Sequence, residues 1–276
     1  MATIAGVGLQ GVGFSLTTGV AVGKRPSFTQ LFSNIVGAYS LRDLNGEGGN
    51  VIEGRNAVTT QNFTAVEIVD GTLDAFAGNG NVTVRTWYDQ SGNDNHISQT
   101  SSDFDQPIIV ENGNLIIDKG RPTIKFLLHE FLDSASVVST QAQFVVCNPS
   151  DVEQVRSVIG RISSNADFLR FTSTDGESYK AGGNGTTFDT VSDGKLLIFS
   201  VDRDSSNNTK AFEDGSQSGV TRTNITSNFQ FERVGARNGA NDPFVGNISE
   251  VILFSGDQSS NRTAITNNIN EHYGIF

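Results

Sequence analysis

The chain has 276 residues and a net charge of −11, with 19 Lys and Arg against 30 Asp and Glu. That length suits one large β domain or two small ones, and it can bury a core without help from disulfides or metal. The acidic balance, with no basic run longer than Lys24-Arg25, excludes a phosphate-backbone binder, and the single cysteine, Cys147, excludes an internal disulfide framework.

Residues 1–23 carry no charged side chain and are rich in glycine. Gly6, Gly8 and Gly11 spell G-x-G-x-x-G, but only five residues precede them and no βαβ unit fits around them, so a dinucleotide site is rejected. The glycines dilute the apolar character too far for a membrane span, and no basic region opens a secretory signal. Ile4, Val7, Leu9, Val12, Phe14, Leu16, Val20 and Val22 nearly alternate. That spacing suits an ordered arm, residues 1–29, that pairs with another chain, and a main domain over residues 30–276. Residues 24–27 read as a linker, 27–34 as a short helix or turn, and 35–42 as the first strand. After the Gly-rich turn at 45–50, residues 51–69 alternate well enough for two strands, and 72–77 form a short helical turn.

Residues 84–96 then change abruptly from a strand pattern to a polar turn. Val84, Thr86 and Tyr88 fall on one face of a strand, and Arg85, Trp87 and Asp89 on the other. Ser91-Gly92-Asn93-Asp94-Asn95 must turn, because these residue types tolerate left-handed backbone and bond their own main chain. The corner has two readings. As a carbohydrate site, Trp87 and Tyr88 supply aromatic faces, and Asp89, Gln90, Asn93 and Asn95 supply donors and acceptors. As a structural corner, Trp87 and Tyr88 flank the core, one on each face, and Asp89, Gln90, Ser91 and Asn95 brace the turn.

Beyond the corner, residues 106–110 and 115–117 form a hairpin across Asn112-Gly113, a strong turn signal. Residues 123–128 follow as a strand. Further strands are expected at 143–147, 157–162, 168–172, 196–202, 209–213, 229–234 and 247–254. Asp175-Gly176, Asp193-Gly194 and Asp214-Gly215 mark turns between several of them. Short strands at this spacing predict a β-sandwich. Cys147, in an apolar strand pattern, reads as a small buried hydrophobe. Ile265, Ile269 and Tyr273 fall four apart and predict one helix over 259–273, capped by Ser259 or Ser260 and closing an edge or end of the sandwich.

Catalytic signals are sparse. His96, His129 and His272 lack ligand-spaced partners, so zinc is not expected. Calcium is the one metal the turns could attract, at Asp103/Asp105 or Asp202/Asp204. Glu67, Asp89, Glu130, Asp202 and Glu250 are isolated carboxylates with none of the strand spacing that pairs acids for glycoside hydrolysis. No G-x-S-x-G is present.

Residues 36–42, then Trp87-Tyr88-Asp89-Gln90-Ser91-Gly92-Asn93-Asp94-Asn95, then Gln106-Pro107 and residues 120–126, resemble the amino-terminal part of the alpha-L-arabinofuranosidase B catalytic domain. Residues 244–254, with the helix that follows, resemble the closing strand and helix of laminin-G-like and concanavalin A-like jelly rolls. The same combination is similar to domains of phage fibre and other virion proteins. The resemblance implies a concanavalin-like jelly-roll β-sandwich with an N-terminal arm and a short C-terminal helix. It further implies a phage virion structural protein, as fibre, spike or capsid-surface component, exposed on the particle. The partners expected are other virion proteins through residues 1–26, a host glycan and further copies of the chain, as in a trimer. The alternatives are an arabinofuranosidase-like glycoside hydrolase and a decoration protein without ligand. The enzymes of that family are secreted and use disulfides, whereas this chain has one cysteine, and their catalytic carboxylates find no match here.

Overall fold

The structure, a computed structural model, describes residues 25–172, 176–187 and 194–276. Most of the expected arm lies outside the described residues, as do Asp175 and Asp193 of the two Asp-Gly turns. The first half of the chain forms α1 (Phe28–Leu31), β1 (Ile35–Ser40), β2 (Asn50–Arg55), β3 (Thr60–Thr64), α2 (Ala65–Val69), α3 (Thr72–Ala77), β4 (Val82–Trp87), β5 (Ile97–Ser98), β6 (Ile108–Glu111), β7 (Asn114–Leu115), β8 (Ile117–Asp118), β9 (Arg121–Pro122) and β10 (Ile124–Phe126). The second half adds β11 (Leu132–Thr140), β12 (Ala142–Pro149), β13 (Arg156–Gly160), β14 (Phe168–Thr172), β15 (Gly176–Ala181), β16 (Asn184–Thr187), β17 (Leu197–Arg203), β18 (Thr209–Glu213), β19 (Ser216–Arg222), β20 (Phe229–Val234), β21 (Gly246–Phe254) and α4 (Arg262–Tyr273).

These strands build the expected jelly-roll sandwich. One layer runs β19–β18–β17–β12–β21, with β1 and β10 sharing the far side of β21. The other runs β3–β2–β4–β5–β11–β20–β13–β14–β15–β16. Strand β6 pairs with both β4 and β10 and joins the layers along one edge. All these ladders are antiparallel.

The core lies between the layers. Val145, Cys147, Phe199, Val251 and Leu253 from the first meet Val84, Trp87, Leu169, Phe171, Phe229 and Phe231 from the second. Tyr39 and Phe231 bring their rings to 6.0 Å across the gap, and Phe171 and Phe199 to 6.1 Å. The first layer is buried on its outer face too. Phe144, Val146, Ile198, Ile252 and Phe254 point outward into a second cluster, closed by Ile265, Ile269 and Tyr273 of α4 and by Phe28 and Phe32 at α1. Burial on both faces is why residues 144–147 of β12 are all apolar. Each of the three α4 side chains contributes roughly 1.5–3 kcal/mol by burial. The helix therefore covers a face of the sandwich rather than its edge or end. Its N-cap is Asn261, not Ser259 or Ser260.

Two further expectations change. Residues 51–69 were expected as two strands; they give β2 and β3, but the segment ends as α2. Thr64 accepts from the amide of Glu67, and Glu67 accepts from the amide of Thr64, a reciprocal cap that starts a helix. Strands β5, β11, β15, β16 and β19 are not expected from the sequence. No helix among the described residues is long and apolar enough to cross a membrane.

Candidate functional site

The Trp87–His96 corner is stitched to β1. Asp89 accepts from the amides of Ala38 at 2.8 Å, Ser91 at 2.9 Å and Asn95 at 3.1 Å, and from Ser91 Oγ at 2.7 Å. Gln90 accepts from the Leu44 amide at 2.7 Å and donates to the carbonyls of Ser40 and Arg42. Asn93 donates to the Ile35 carbonyl and Asn95 to that of Val36, while the Tyr39 hydroxyl donates to the Asn95 carbonyl. The amide and carboxylate groups of Asp89, Gln90, Asn93 and Asn95 that marked this stretch as a sugar site are thus engaged with the protein's own backbone. Trp87 is fully buried and stands 6.1 Å from Tyr39, so it has no face to offer a sugar, which corrects its place among the binding residues.

The strand before the corner does not alternate cleanly. Glu53 pairs with Thr86, but the next residue, Gly54, pairs with Val84, which leaves Arg85 as an extra residue in β4. This bulge shifts the phase. Val82, Val84 and Trp87 all face the core, whereas Arg85 and Thr86 both reach Glu53, Arg85 at 2.8 Å and Thr86 at 2.9 Å. Tyr88 turns the other way from Trp87. Its hydroxyl meets Asn62 Oδ1 at 2.9 Å and its ring stands edge-on to His96. Burial, and then the charge of Glu53, push the Tyr88 phenol up from its usual range.

That outward face carries the principal polar feature of the fold. Directly opposed residues in neighbouring strands place their side chains on the same face. Following the register across the second layer gives one continuous row: Asn62, Glu53, Thr86, Ser98, Asp133, Arg233, Gly160, Phe168 and Lys180. At about 4.8 Å per strand the row is about 38 Å long. None of its members belongs to either apolar cluster. Arg233 grips Asp133 through two bonds of 2.5 and 2.8 Å and lies over the Phe131 ring at 3.8 Å. Beside the row, Glu232 accepts from Arg161 at 3.1 Å.

The remaining candidates have structural partners. Glu250 is fully buried, bonded to Arg42 at 2.8 and 2.9 Å, to Ser40 Oγ at 2.7 Å and to the Tyr273 hydroxyl at 3.3 Å. Arg42 also donates to Asn268, so the pair ties the first layer to α4. Asp202 meets Arg262 of α4 at 2.9 Å, and its carboxyl is pushed up by burial ahead of the opposing pull of that arginine. Glu67 caps α2, and Glu130 accepts from the Leu127 amide at 2.6 Å. At the two turns considered for calcium, Asp103 pairs with Arg55 and Asp204 accepts from Ser206 and Asn208. Among the described residues no three His, Cys, Asp or Glu side chains come together as a metal set.

No family model matches the sequence, and neither does any curated protein. Solved structures do match. A GH54 α-L-arabinofuranosidase soaked with a cyclic sulfate inhibitor superposes with a TM-score of 0.61 at 13% identity, over 85% of this chain and 62% of that one. An arabinofuranosidase complexed with arabinofuranosyl-α-1,2-xylobiose gives the same TM-score at 14% identity, over 85% and 62% of the two chains. This chain spans less than two thirds of the length of those structures. The likeness shows an arabinofuranosidase-like sandwich fold.

Proposed function

We propose that this chain is a phage virion structural protein, a fibre, spike or capsid-surface component, whose sandwich faces outward and binds host glycans along the open face of its second layer. The observation that carries this reading is the asymmetry of the sandwich. The central strands β12, β17 and β21 of the first layer are buried on both faces, while the second layer presents a polar row about 38 Å long, in which Thr86, Gly160, Phe168 and Arg233 are buried and Asn62, Glu53, Ser98, Asp133 and Lys180 reach the surface, with Tyr88 at one end and, among the described residues, no helix packed over it. Sugars need aromatic edges and fixed donors and acceptors, and this face has both. Residues 1–26, uncharged and near-alternating up to residue 23, suit anchoring in another virion protein, and the resemblance to virion domains supports the same setting. A homo-oligomer, such as the trimer of a fibre, would multiply weak contacts through avidity.

The direct test is a glycan array probed with the assembled full-length chain and with Tyr88→Ala. Hits that weaken in the variant support the face as the binding surface. An array without hits would leave a decoration protein without ligand. A chain lacking residues 1–26 should fold but fail to assemble, and normal assembly would defeat the anchoring role.

The arabinofuranosidase-like fold favours one second reading, a glycoside hydrolase. Glu53 and Asp133 lie three strands apart on the row, about 14 Å, wider than the roughly 5–9.5 Å between working carboxyls. Asp133 and Glu232, on paired strands, are the better candidates. Release of dye from an aryl arabinofuranoside, abolished by Asp133→Asn or Glu232→Gln, would establish hydrolysis.

A further inference from the structure

We infer that the apolar groove beside the C-terminal end of α4 seats the amino-terminal arm of a second copy of this chain, so that copies hold one another by exchanged arms. The inference rests on the reading of residues 1–26 as an assembly segment and gives that segment its seat. The groove, about 230 Å³, lies between α2, the β8–β9 hairpin and α4, and Leu41, Ala65, Val66, Val69, Pro122 and Tyr273 make its apolar wall. Val66 and Val69 are 66% and 62% exposed on α2, and Ile117, opposite Pro122 in the hairpin, is 59% exposed. Opposed residues share a face, so Ile117 extends the same apolar surface. Exposed apolar side chains gathered around a concavity mark a site for a partner.

The charged groups around the groove are engaged with the protein or face water. Arg42 is held by Glu250 and Asn268. Asp43 accepts from the amides of Gly46 and Gly48. The exposed Arg121 donates through Nε to the His272 carbonyl at 2.8 Å, and Lys119 donates to the Ile275 carbonyl at 3.0 Å, so both cations sit at the negative end of α4. His272 is uncharged at neutral pH, because burial, and then the charge of Arg42, hold it down at about 4. The groove therefore suits an occupant that is apolar and brings no charge. Residues 1–23 have that composition, with no charged side chain and with Leu9, Val12, Phe14 and Leu16 among their apolar positions.

The root of the arm lies beside the groove. Arg25 and Pro26 line a second hollow, about 340 Å³, together with Leu31, Phe32 and Asn268. Asn268 accepts from Arg42 at 2.9 Å, so the two hollows meet across one hydrogen bond on the flank of α4. Leu31, 50% exposed, carries the apolar surface from one towards the other. Residues 1–24 would span about 80 Å when extended, whereas a domain of this size is about 45 Å across. An arm of that length outreaches the groove beside its own root and can carry its apolar positions to a neighbour. Each copy then offers one arm and one groove on the same flank, and the exchange closes about a two-fold axis or around a ring such as a trimer.

The test is size exclusion with light scattering on full-length chains. Val66→Asp with Val69→Lys blocks the groove at two exposed positions, and Leu9→Asp with Phe14→Asp charges the arm. Unchanged melting temperatures confirm that both variants fold. The parent should assemble, and each variant should need a concentration higher by about tenfold or more to do so, the worth of one buried apolar side chain. An equimolar mixture of the two should regain part of the assembly, because one keeps its arm and the other its groove. A parent that stays monomeric overturns the second copy as occupant but leaves the arm to anchor in a different virion protein. Loss of assembly in the arm variant alone places the seat elsewhere and overturns this inference, with the role of the arm standing. Loss in the groove variant alone means that something other than the arm fills the groove, and overturns it too. Two monomeric variants whose mixture stays monomeric would place each arm on its own copy and overturn the exchange. Assembly that neither variant weakens overturns both the seat and the role of the arm.

Discussion

Replacing Asp89 with alanine should unfold the protein more easily without removing any ligand contact. Asp89 is 7% exposed and accepts four hydrogen bonds, three of them from backbone amides on β1 and the turn. Ser91 is only partly buried, so its amide and hydroxyl can find water. Asn95 is likewise only partly buried, so the main loss is the charged acceptor of the buried Ala38 amide, at roughly 1.5–3 kcal/mol, and with a smaller share from Asn95 the expected cost is about 2–4 kcal/mol. Asp89→Asn keeps the acceptor that serves Ala38 and Ser91 but turns an N–H₂ towards the Asn95 amide, and should cost about 1–2 kcal/mol. Urea unfolding separates the cases. A loss of about 3 kcal/mol over a slope of about 2 kcal/mol per molar lowers the midpoint by about 1.5 M for alanine, with asparagine between it and the parent. A midpoint that hardly moves in Asp89→Ala, with glycan binding lost, would refute the bracing role and return the corner to function.

Two other perturbations probe the seam between the first layer and α4. Burial, and then the charge of Arg42, hold His272 down at about 4, against an ordinary value of 6.5. Between those values the unfolded chain binds a proton that the folded chain refuses, so stability should fall as pH drops through that window and level off below it. Allowing for its partial exposure, the loss is about 1–2 kcal/mol, and His272→Gln should flatten that part of a melting-temperature profile. Glu250→Ala strands the largely buried Arg42 guanidinium, whose side chain is 15% exposed, and should cost about 2–4 kcal/mol. Adding Arg42→Met should recover much of the loss in chemical denaturation, and a double variant no more stable than the single one would refute the pairing.

The fold was legible wherever one residue type decides a local geometry. Asn112-Gly113 and Asp214-Gly215 both adopt left-handed backbone, at φ 52° and 75° and at φ 50° and 82°, as a tight hairpin turn demands. The three residues spaced four apart in α4 are all buried, as that spacing requires. Helix α2 is hidden in the sequence because the apolar alternation of residues 51–69 overlies the Thr64–Glu67 cap. Strand β11 hides its period because its pairing with β20 slips between Asp133 and Val138. Strand β19 is polar along most of its length and pairs with β18 at the end of its layer, so it has little apolar pattern to show.

The site was legible only in part, and the reason is the extra residue at Arg85. Strict alternation puts Trp87 with Arg85 and Tyr88 with Thr86 and Val84. The bulge breaks both sets, turning Trp87 into the core with Val84 and leaving Arg85 and Thr86 outside with Glu53. A bulge is a property of two strands, and nothing in residues 82–88 alone announces it. The same holds for the polar row. Its members are scattered between positions 53 and 233 and share no motif. Only the register of eight ladders aligns them. Gly160 illustrates the point: in sequence it is an unremarked glycine after an apolar run, but in the sheet it is the gap across which Arg237 reaches the row. The corner residues hold β1 and the turn in place, and the neighbouring Tyr88 is the one aromatic of the original candidates that reaches the open face. Function on this fold should therefore follow substitutions along the row and leave those in the corner to report on stability.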